Sequence, residues 1–426
     1  MHDARELLAL GDDAVARLAR RGYALRLKEL EALYRERTAA AEEMDAARAE
    51  LNRSSKGGGR DVVPEERRAA ARVLRERVQK AEARSRDARE RLLDLLLTIP
   101  NIPLDEVPDG RTEAEAVEVR RCGPPPAAAD EARHHAAVGA SLGILDGDRA
   151  ARLSGARFSV ARGAGARLER ALAAFFLDLH TGAHGYTEYS VPYLVTRETM
   201  TGTGQLPKFE EDLFSTRVGD RELMLIPTAE VPLTNLFAGE VLDPARLPLA
   251  VTARSPCFRA EAGSYGRDSR GILRLHQFEK VELVRLCAPD DARRELELMV
   301  SHVEACLRAL ELTYRVVLLP AGDLGFSART TYDLEVWMPG GGAFREISSV
   351  SDCGTFQARR AGIRLRGPGS RKSPVVTLNG SALPIGRTVA ALLEQGVRPD
   401  GSVALPKALV PYAGFGRILP DGTTSD

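Results

Sequence analysis

The chain carries no excess of either charge: 60 Lys and Arg stand against 60 Asp and Glu, a formal net charge of zero over 426 residues. No global field therefore draws it to nucleic acid, and any RNA contact has to come from a local basic surface. Cysteine is scarce and scattered. Cys122, Cys257, Cys287, Cys306 and Cys353 form no CxxC pair, which argues against a disulfide framework or a zinc ribbon and for a reducing compartment, so no zinc is expected. Long hydrophobic runs are missing too: no stretch approaches the roughly 20 apolar residues of a membrane span. The start, MHDARELLALGDD, has neither the basic n-region nor the apolar h-region of a secretory signal. The expectation is a soluble, cytoplasmic protein without a membrane partner, long enough for a large core plus an appended module.

What the chain does have is concentrated in CFRAEAGSYGRDSRGILRLHQFEKVELVR, Cys257 to Arg285. It reads as two strands joined by a polar loop that holds Gly263, Tyr265, Gly266, Arg267, Asp268 and Arg270. The first strand, around Phe258–Glu261, sets Arg259 and Glu261 on one face by the two-residue period. The second sets Glu282 among Val281, Leu283 and Val284, where an ionised carboxylate is costly unless a cation meets it. Charges alone leave two readings. One is a hairpin whose Arg and Glu pair; the other is a receptor for a zwitterionic amino acid beside a nucleotide phosphate.

The residues in order add more. FRAEAGSYGRDSRGILRLHQFEKVE closely resembles motif 2 of the bacterial-type seryl-tRNA synthetases, which are class II aminoacyl-tRNA synthetases. The resemblance implies an α+β fold: an antiparallel class II sheet flanked by helices in residues 106–426, with an N-terminal antiparallel two-helix coiled-coil arm in residues 1–105. It also implies a homodimer.

The N-terminal hundred residues support the arm independently. Leu27, Leu30, Tyr34, Ala41, Met44 and Leu51 recur at alternating spacings of three and four, with Arg37 and Arg48 at the two seam positions that break the pattern. Leu74, Val78, Ala81, Ser85, Ala88, Leu92 and Leu95 repeat the spacing more strictly. Between the runs, NRSSKGGGRDVVPEE stops one helix and starts the next. Arms of some 30 residues would project roughly 45 Å. From Arg53 to Arg91 roughly thirteen basic residues face about seven acidic ones. By itself this is a solvated coiled coil suited to protein contacts. The resemblance makes it the arm that grips the long variable arm of tRNA(Ser), with tRNA(Sec) as a further substrate. Phosphate contacts would then give affinity and shape would give selection.

Beyond the arm, TIPNIPLDEVPDG is a proline-rich linker, and the adjacent His134 and His135 are expected at the surface with no role. GARLERALAAFFLDLHT has a helical period and YTEYSVPYLV a strand broken by Pro192, an edge feature that resembles the dimer-forming motif 1. LIPTAEVPLTN places Thr228 and Glu230 after an apolar strand, by itself an ordinary helix start. In TTYDLEVWMPGGGAFREISSVSDC, Glu346 and Ser349 offer the hard oxygens Mg²⁺ prefers, or a strand-end glutamate with capping serines. TLNGSALPIGRTVAALLEQ reads as a strand, an Asn379–Gly380–Ser381 turn and a helix carrying Arg387.

Carried residue by residue, the resemblance implies that Thr228, Ala229, Glu230, Glu282 and Ser381 hold serine. It assigns ATP to Arg259, Ala260, Glu261, Phe278, Glu346, Ile347, Ser348, Ser349 and Arg387, and Mg²⁺ to Glu346 and Ser349. Arg259, Glu261 and Arg387 are the catalytic residues it implies. The implied activity is activation of L-serine by ATP to seryl-adenylate and transfer to the 3′ end of tRNA. Thr330, Val350, Asp352 and Pro384 depart from the family's usual residues. They motivate an alternative, a specialised duplicate serving a biosynthetic pathway or antibiotic self-resistance. A catalytically silent RNA-binding relative is a further alternative, and the full set of matched substrate residues speaks against it.

Overall fold

The computed structural model describes residues 1–56, 65–123, 128–262, 270–367 and 372–426. The loop residues Gly263, Tyr265, Gly266, Arg267 and Asp268 and the glycines of the arm's tip lie outside the described residues. The chain divides into two compact units, Met1–Pro100 and Asn101–Asp426.

The first unit opens with two short helices, α1 (Ala4–Leu10) and α2 (Asp12–Arg20). Asp3 caps α1, accepting from the Arg5 and Glu6 amides at 2.8 and 3.2 Å. Two long helices follow, α3 (Leu27–Lys56) and α4 (Glu65–Thr98). They run antiparallel, because ion pairs climb one helix as they descend the other: Arg91–Glu36, Arg84–Glu43 and Arg77–Glu50. The α4 seam is the one expected, with Val78, Ala81, Ala88, Leu92 and Leu95 buried. The α3 seam keeps Leu30, Met44 and Leu51 as expected, but the positions between them are displaced by one residue. Leu33, Ala40 and Ala47 are buried instead of Tyr34, Ala41 and Arg48, and Arg48 pairs with Glu82 at 2.8 Å. Alanine repeats at 39–41 and 46–47 make the two phases indistinguishable by composition, and the phase that keeps both arginines out of the seam is adopted.

The second unit is built on an eight-stranded sheet. Its strands are β1 (Val117–Cys122), β2 (Thr187–Glu188), β3 (Leu249–Phe258), β4 (Gln277–Cys287), β5 (Tyr314–Leu318), β6 (Thr330–Met338), β7 (Ala343–Asp352) and β8 (Val376–Pro384). They lie in the order β1-β5-β6-β7-β8-β4-β3-β2. Every pair is antiparallel except β2 with β3, which is parallel at one edge. Three helices cover one face: α6 (Ala164–Gly182), α8 (Ala292–Ala309) and α10 (Ile385–Gly396). A short α5 (His135–Ser141) precedes them in the chain, and α7 (Glu230–Asn235) and α9 (Phe356–Ala361) lie between them.

Strand alternation assigns each residue of β4 its side. Val281, Leu283 and Cys287 enter the core with Leu172 and Phe176 of α6, Met299 and Val303 of α8, and Val389 of α10. Lys280 and Glu282 face the other way, into a cleft. Arg285, on the helix side, is buried against Glu295 of α8 at 2.6 Å.

Several expectations are corrected. The first strand of the hairpin ends at Phe258, so strand period does not align Arg259 with Glu261; Glu261 sits at φ +54°. Asn379–Gly380–Ser381 is not a turn but the middle of β8, paired with Val284, Leu283 and Glu282. Pro384 ends that strand immediately before α10, where its missing N–H costs no helical bond. His135 is fully buried rather than on the surface, because Glu394 meets it.

Candidate active site

The cleft on the open face of the sheet measures about 940 Å³ and is lined by Thr228, Glu230, Arg259, Glu261, Glu282, Glu346, Ser349 and Ser381. Phe278 and Arg387 line a small adjoining pocket that shares Arg259, Glu261 and Glu346. Ten of the expected residues thus converge from β4, β7, β8, α7, α10 and two loops.

At one end lies a buried polar cluster. The Thr228 hydroxyl donates to Glu282 Oε2 at 2.8 Å, and Lys280 Nζ donates to Thr228 Oγ1 at 3.0 Å. Lys280 also pairs with Glu282 directly. The cation that buried Glu282 requires is therefore supplied by the chain itself. Sequence reasoning misses Lys280, although its position two residues before Glu282 puts it on the same strand face. Ser381 stands opposite Glu282 on the neighbouring strand.

Glu230 begins α7, and its amide donates to Thr228 Oγ1 at 3.2 Å. Its Oε1 accepts from Gln357 Nε2 at 2.6 Å and Asn379 Nδ2 at 2.9 Å. Gln357 is held in turn by Thr377, whose hydroxyl donates to Gln357 Oε1 at 2.7 Å. Burial of its carboxyl and the nearby charge of Glu282 push Glu230 up to about 7. No local pattern marks Gln357 as a partner, since it reaches Glu230 from 127 residues away. Ala229 is fully buried and contributes its place at the helix start rather than a contact surface.

The other end is rich in arginine. Arg259 packs its guanidinium over the Phe278 ring at 5.2 Å and donates from Nε to Pro227 O at 3.2 Å. The Ala260 amide is tied to Asp212 O at 2.9 Å, and Glu261 pairs with Arg274 at 3.3 Å. Arg387 donates to Leu273 O at 3.1 Å and to Glu346 O at 2.8 Å, and its guanidinium lies 3.1 Å from the Glu346 carboxylate. That guanidinium holds the Glu346 carboxyl below its ordinary range.

Glu346 and Ser349 are three residues apart, a spacing that should put them on opposite faces of a strand. A bulge corrects the phase. Ser348 pairs with Leu334 but Glu346 with Glu335, so Ile347 is the extra residue, and both oxygen-bearing side chains reach the cleft. Ile347 is buried in the helix-side core, and the Ser348 hydroxyl donates to Ser381 O at 2.6 Å. The side chains of these two expected nucleotide contacts therefore serve the sheet. Beside Ser349, Asp333 Oδ1 is buried with no hydrogen-bond partner among the described residues. Burial and the Glu346 charge raise the Asp333 carboxyl well above its usual range. Among the four departures, Val350 is packed in the core, and Asp352 accepts from Arg329 at 2.8 Å and from the Gly354 amide at 2.6 Å. Thr330 is buried opposite Asp352, and only Pro384 lines the pocket.

Comparison with known proteins shows the family. Residues 209–396 match the family model described as tRNA synthetase class II core domain (G, H, P, S and T), and residues 1–103 match the seryl-tRNA synthetase N-terminal domain. A Streptomyces avermitilis protein named serine–tRNA ligase 2 is 70% identical over 427 residues, covering 100% of both chains. The serine–tRNA ligase of Nitratidesulfovibrio vulgaris is 49% identical, covering 96% of this chain and 97% of its own. Among solved structures, seryl-tRNA synthetase from Pyrococcus horikoshii complexed with ATP superposes with a TM-score of 0.87 at 33% identity, covering 99% of this chain and 100% of that one. The chain belongs to the seryl-tRNA synthetase family of class II aminoacyl-tRNA synthetases.

Proposed function

We propose that this chain is a serine–tRNA ligase, which activates L-serine with ATP to seryl-adenylate and transfers the seryl group to the 3′ end of tRNA(Ser). One observation carries the reading: a small zwitterion site, Thr228, Glu230, Lys280 and Glu282, opens into the same cleft as the phosphate-seeking Arg259, and a second arginine, Arg387, lines the pocket adjoining it. Serine binds at the first end, where Glu230 and Glu282 divide its ammonium and hydroxyl between them and Ser381 closes the pocket. Hydrogen bonds to the hydroxyl reject alanine more strongly than pocket size could.

ATP lies along the other end. Phe278, with Arg259 on its face, is the wall against which adenine stacks, and Glu261 reads the adenine edge. Arg259 and Arg387 clamp the phosphates and hold the α-phosphorus in line with the serine carboxylate. That carboxylate oxygen bonds to phosphorus as the bond to pyrophosphate breaks. The terminal ribose hydroxyl of tRNA then takes the acyl group and AMP leaves. No protein nucleophile is required.

The residues present suit Mg²⁺. Glu346 and Ser349 present hard oxygens on one face, and the partnerless buried oxygen of Asp333 lies beside them. Glu346 and Ser349 would hold the ion, which when bound supplies neutralisation of phosphate charge. The arm, residues 1–105 as read from the sequence, grips tRNA, and the enzyme works as a cytoplasmic homodimer.

Amino-acid-dependent ATP–pyrophosphate exchange without tRNA tests the reading across serine, threonine, alanine, glycine and cysteine. Exchange with serine, well above the others, is the expected result. No exchange from a folded protein that still binds tRNA would replace the enzyme with an RNA-binding relative.

A further inference from the structure

One buried pair lies outside the cleft lining yet touches three segments that carry it. His135, the first residue of α5, has no exposure, and Glu394, in the last turn of α10, is 1% exposed. His135 Nδ1 lies 2.7 Å from Glu394 Oε1, and the same oxygen accepts from the His135 amide at 3.1 Å. Glu394 Oε2 accepts from the Gly340 amide at 2.7 Å, in the turn between β6 and β7. The other ring nitrogen, Nε2, accepts from the Ile272 amide at 3.1 Å. An accepting Nε2 leaves the ring proton on Nδ1, where it donates to Glu394. The donors of His134, His135 and Glu394 cluster closely enough to resemble a metal centre. Both ring nitrogens of His135 are already hydrogen-bonded, however, so the ring has no lone pair left for a cation.

The contact at Ile272 reaches the nucleotide end of the cleft through the neighbouring backbone. Ile272, Leu273 and Leu275 run along the small pocket beside Phe278 and Arg387. The Leu273 carbonyl accepts from Arg387 Nε at 3.1 Å, and Arg387 then reaches Glu346. This piece of backbone is thus gripped from both sides, by His135 at the Ile272 N–H and by Arg387 at the Leu273 C=O. Gly271 permits the approach: it sits at φ +86°, and a Cβ there would lie 2.0 Å from His135 Nε2.

We propose that His135 is a positioning residue for the nucleotide half of the site, holding the 272–273 backbone so that Arg387 is aimed at the ATP phosphates. The inference rests on the ligase reading, and it predicts that Nε2, rather than the buried pair as a whole, controls ATP affinity.

Two conservative variants separate these. In His135→Asn the amide nitrogen takes the place of Nδ1 and keeps Glu394, but nothing reaches Ile272. In His135→Gln the amide oxygen takes the place of Nε2 and keeps Ile272, while the side-chain bond to Glu394 is lost and the backbone one stays. Each loses one buried hydrogen bond, so both should melt at lower temperature than wild type. The full-length proteins are compared by equilibrium ATP binding and by KM for ATP and for serine in exchange. His135→Asn should weaken ATP binding and raise the ATP KM about tenfold, the order expected for one lost hydrogen bond. His135→Gln should stay within about threefold of wild type. The serine KM should be unchanged in both. Equal ATP affinity in the two variants, whether normal or weakened, overturns the positioning role. A wild type that binds ATP but gives no exchange overturns the ligase reading alone, and one that binds no ATP overturns both.

Discussion

Glu230 and Glu282 stand at the same end of the cleft in different electrostatic settings. Glu282 is matched by Lys280, whereas Glu230 has two neutral amides and is raised to about 7 by burial and by Glu282. An arriving ammonium favours the ionised form of Glu230, so serine binding below pH 7 expels a proton. Apparent serine affinity should strengthen about tenfold from pH 6 to pH 8, with about one proton released at pH 6. Calorimetry in buffers of different ionisation enthalpy measures both; a flat profile with no release would place the ammonium elsewhere. The same shift affects stability. A carboxyl raised in the folded state contributes stability that is complete below its ordinary value of 4.5 and is lost as pH rises through about 7. Glu230→Gln should therefore gain on wild type in melting temperature above pH 7, and the gain should vanish near pH 4. At this scale the sequence motifs revealed Thr228, Glu230, Arg259, Glu282 and Arg387, but not Gln357 or Glu394, which act across long loops and carry no local signature.

Within single elements, local pattern and tertiary setting part company in two places. In β7 the two-residue period separates Glu346 from Ser349, and only the bulge at Ile347, which pairing with β6 reveals, brings them together. In the arm, composition shows a basic excess but not which charges remain available. Arg77, Arg84 and Arg91 are spent on glutamates of α3. Arg72, Arg75, Arg86 and Arg89 are exposed and make no ion pair among the described residues. At 100° per residue these four fall within about 100° of the α4 circumference, a stripe suited to a phosphate backbone. Replacing all four by glutamine should raise the KM for tRNA at least tenfold and flatten the salt dependence of charging, while ATP–pyrophosphate exchange stays at the wild-type rate. Equal loss of both activities would remove α4 from the tRNA interface.

On the scale of the whole molecule, the parallel strand β2 ends the sheet, and the chain after it exposes Tyr189, Tyr193 and Leu194 at 37, 42 and 42%. Exposed aromatic and apolar side chains beside a short sheet edge fit the proposed dimer contact. Light scattering should give twice the 46.2 kDa chain mass at micromolar concentration, and Tyr193→Asp should shift the protein toward monomer; a monomeric wild type would sink the proposal. The sequence by itself determined what short-range physics can write: the paired helices from a heptad, the strand that carries Glu282 from its apolar run, and the family from an ordered run of motif residues. Which phase of the alanine-rich α3 packs inward was decided by tertiary structure, because alanines in either phase bury equally well and the cost of burying arginine weighs against the other phase. The same holds for the Lys280–Glu282 pair, the bulge at Ile347 and the His135–Glu394 strut. Each depends on what lies opposite in space, and a buried charge or polar ring can be placed only once its partner, often more than a hundred residues away, has been brought to it.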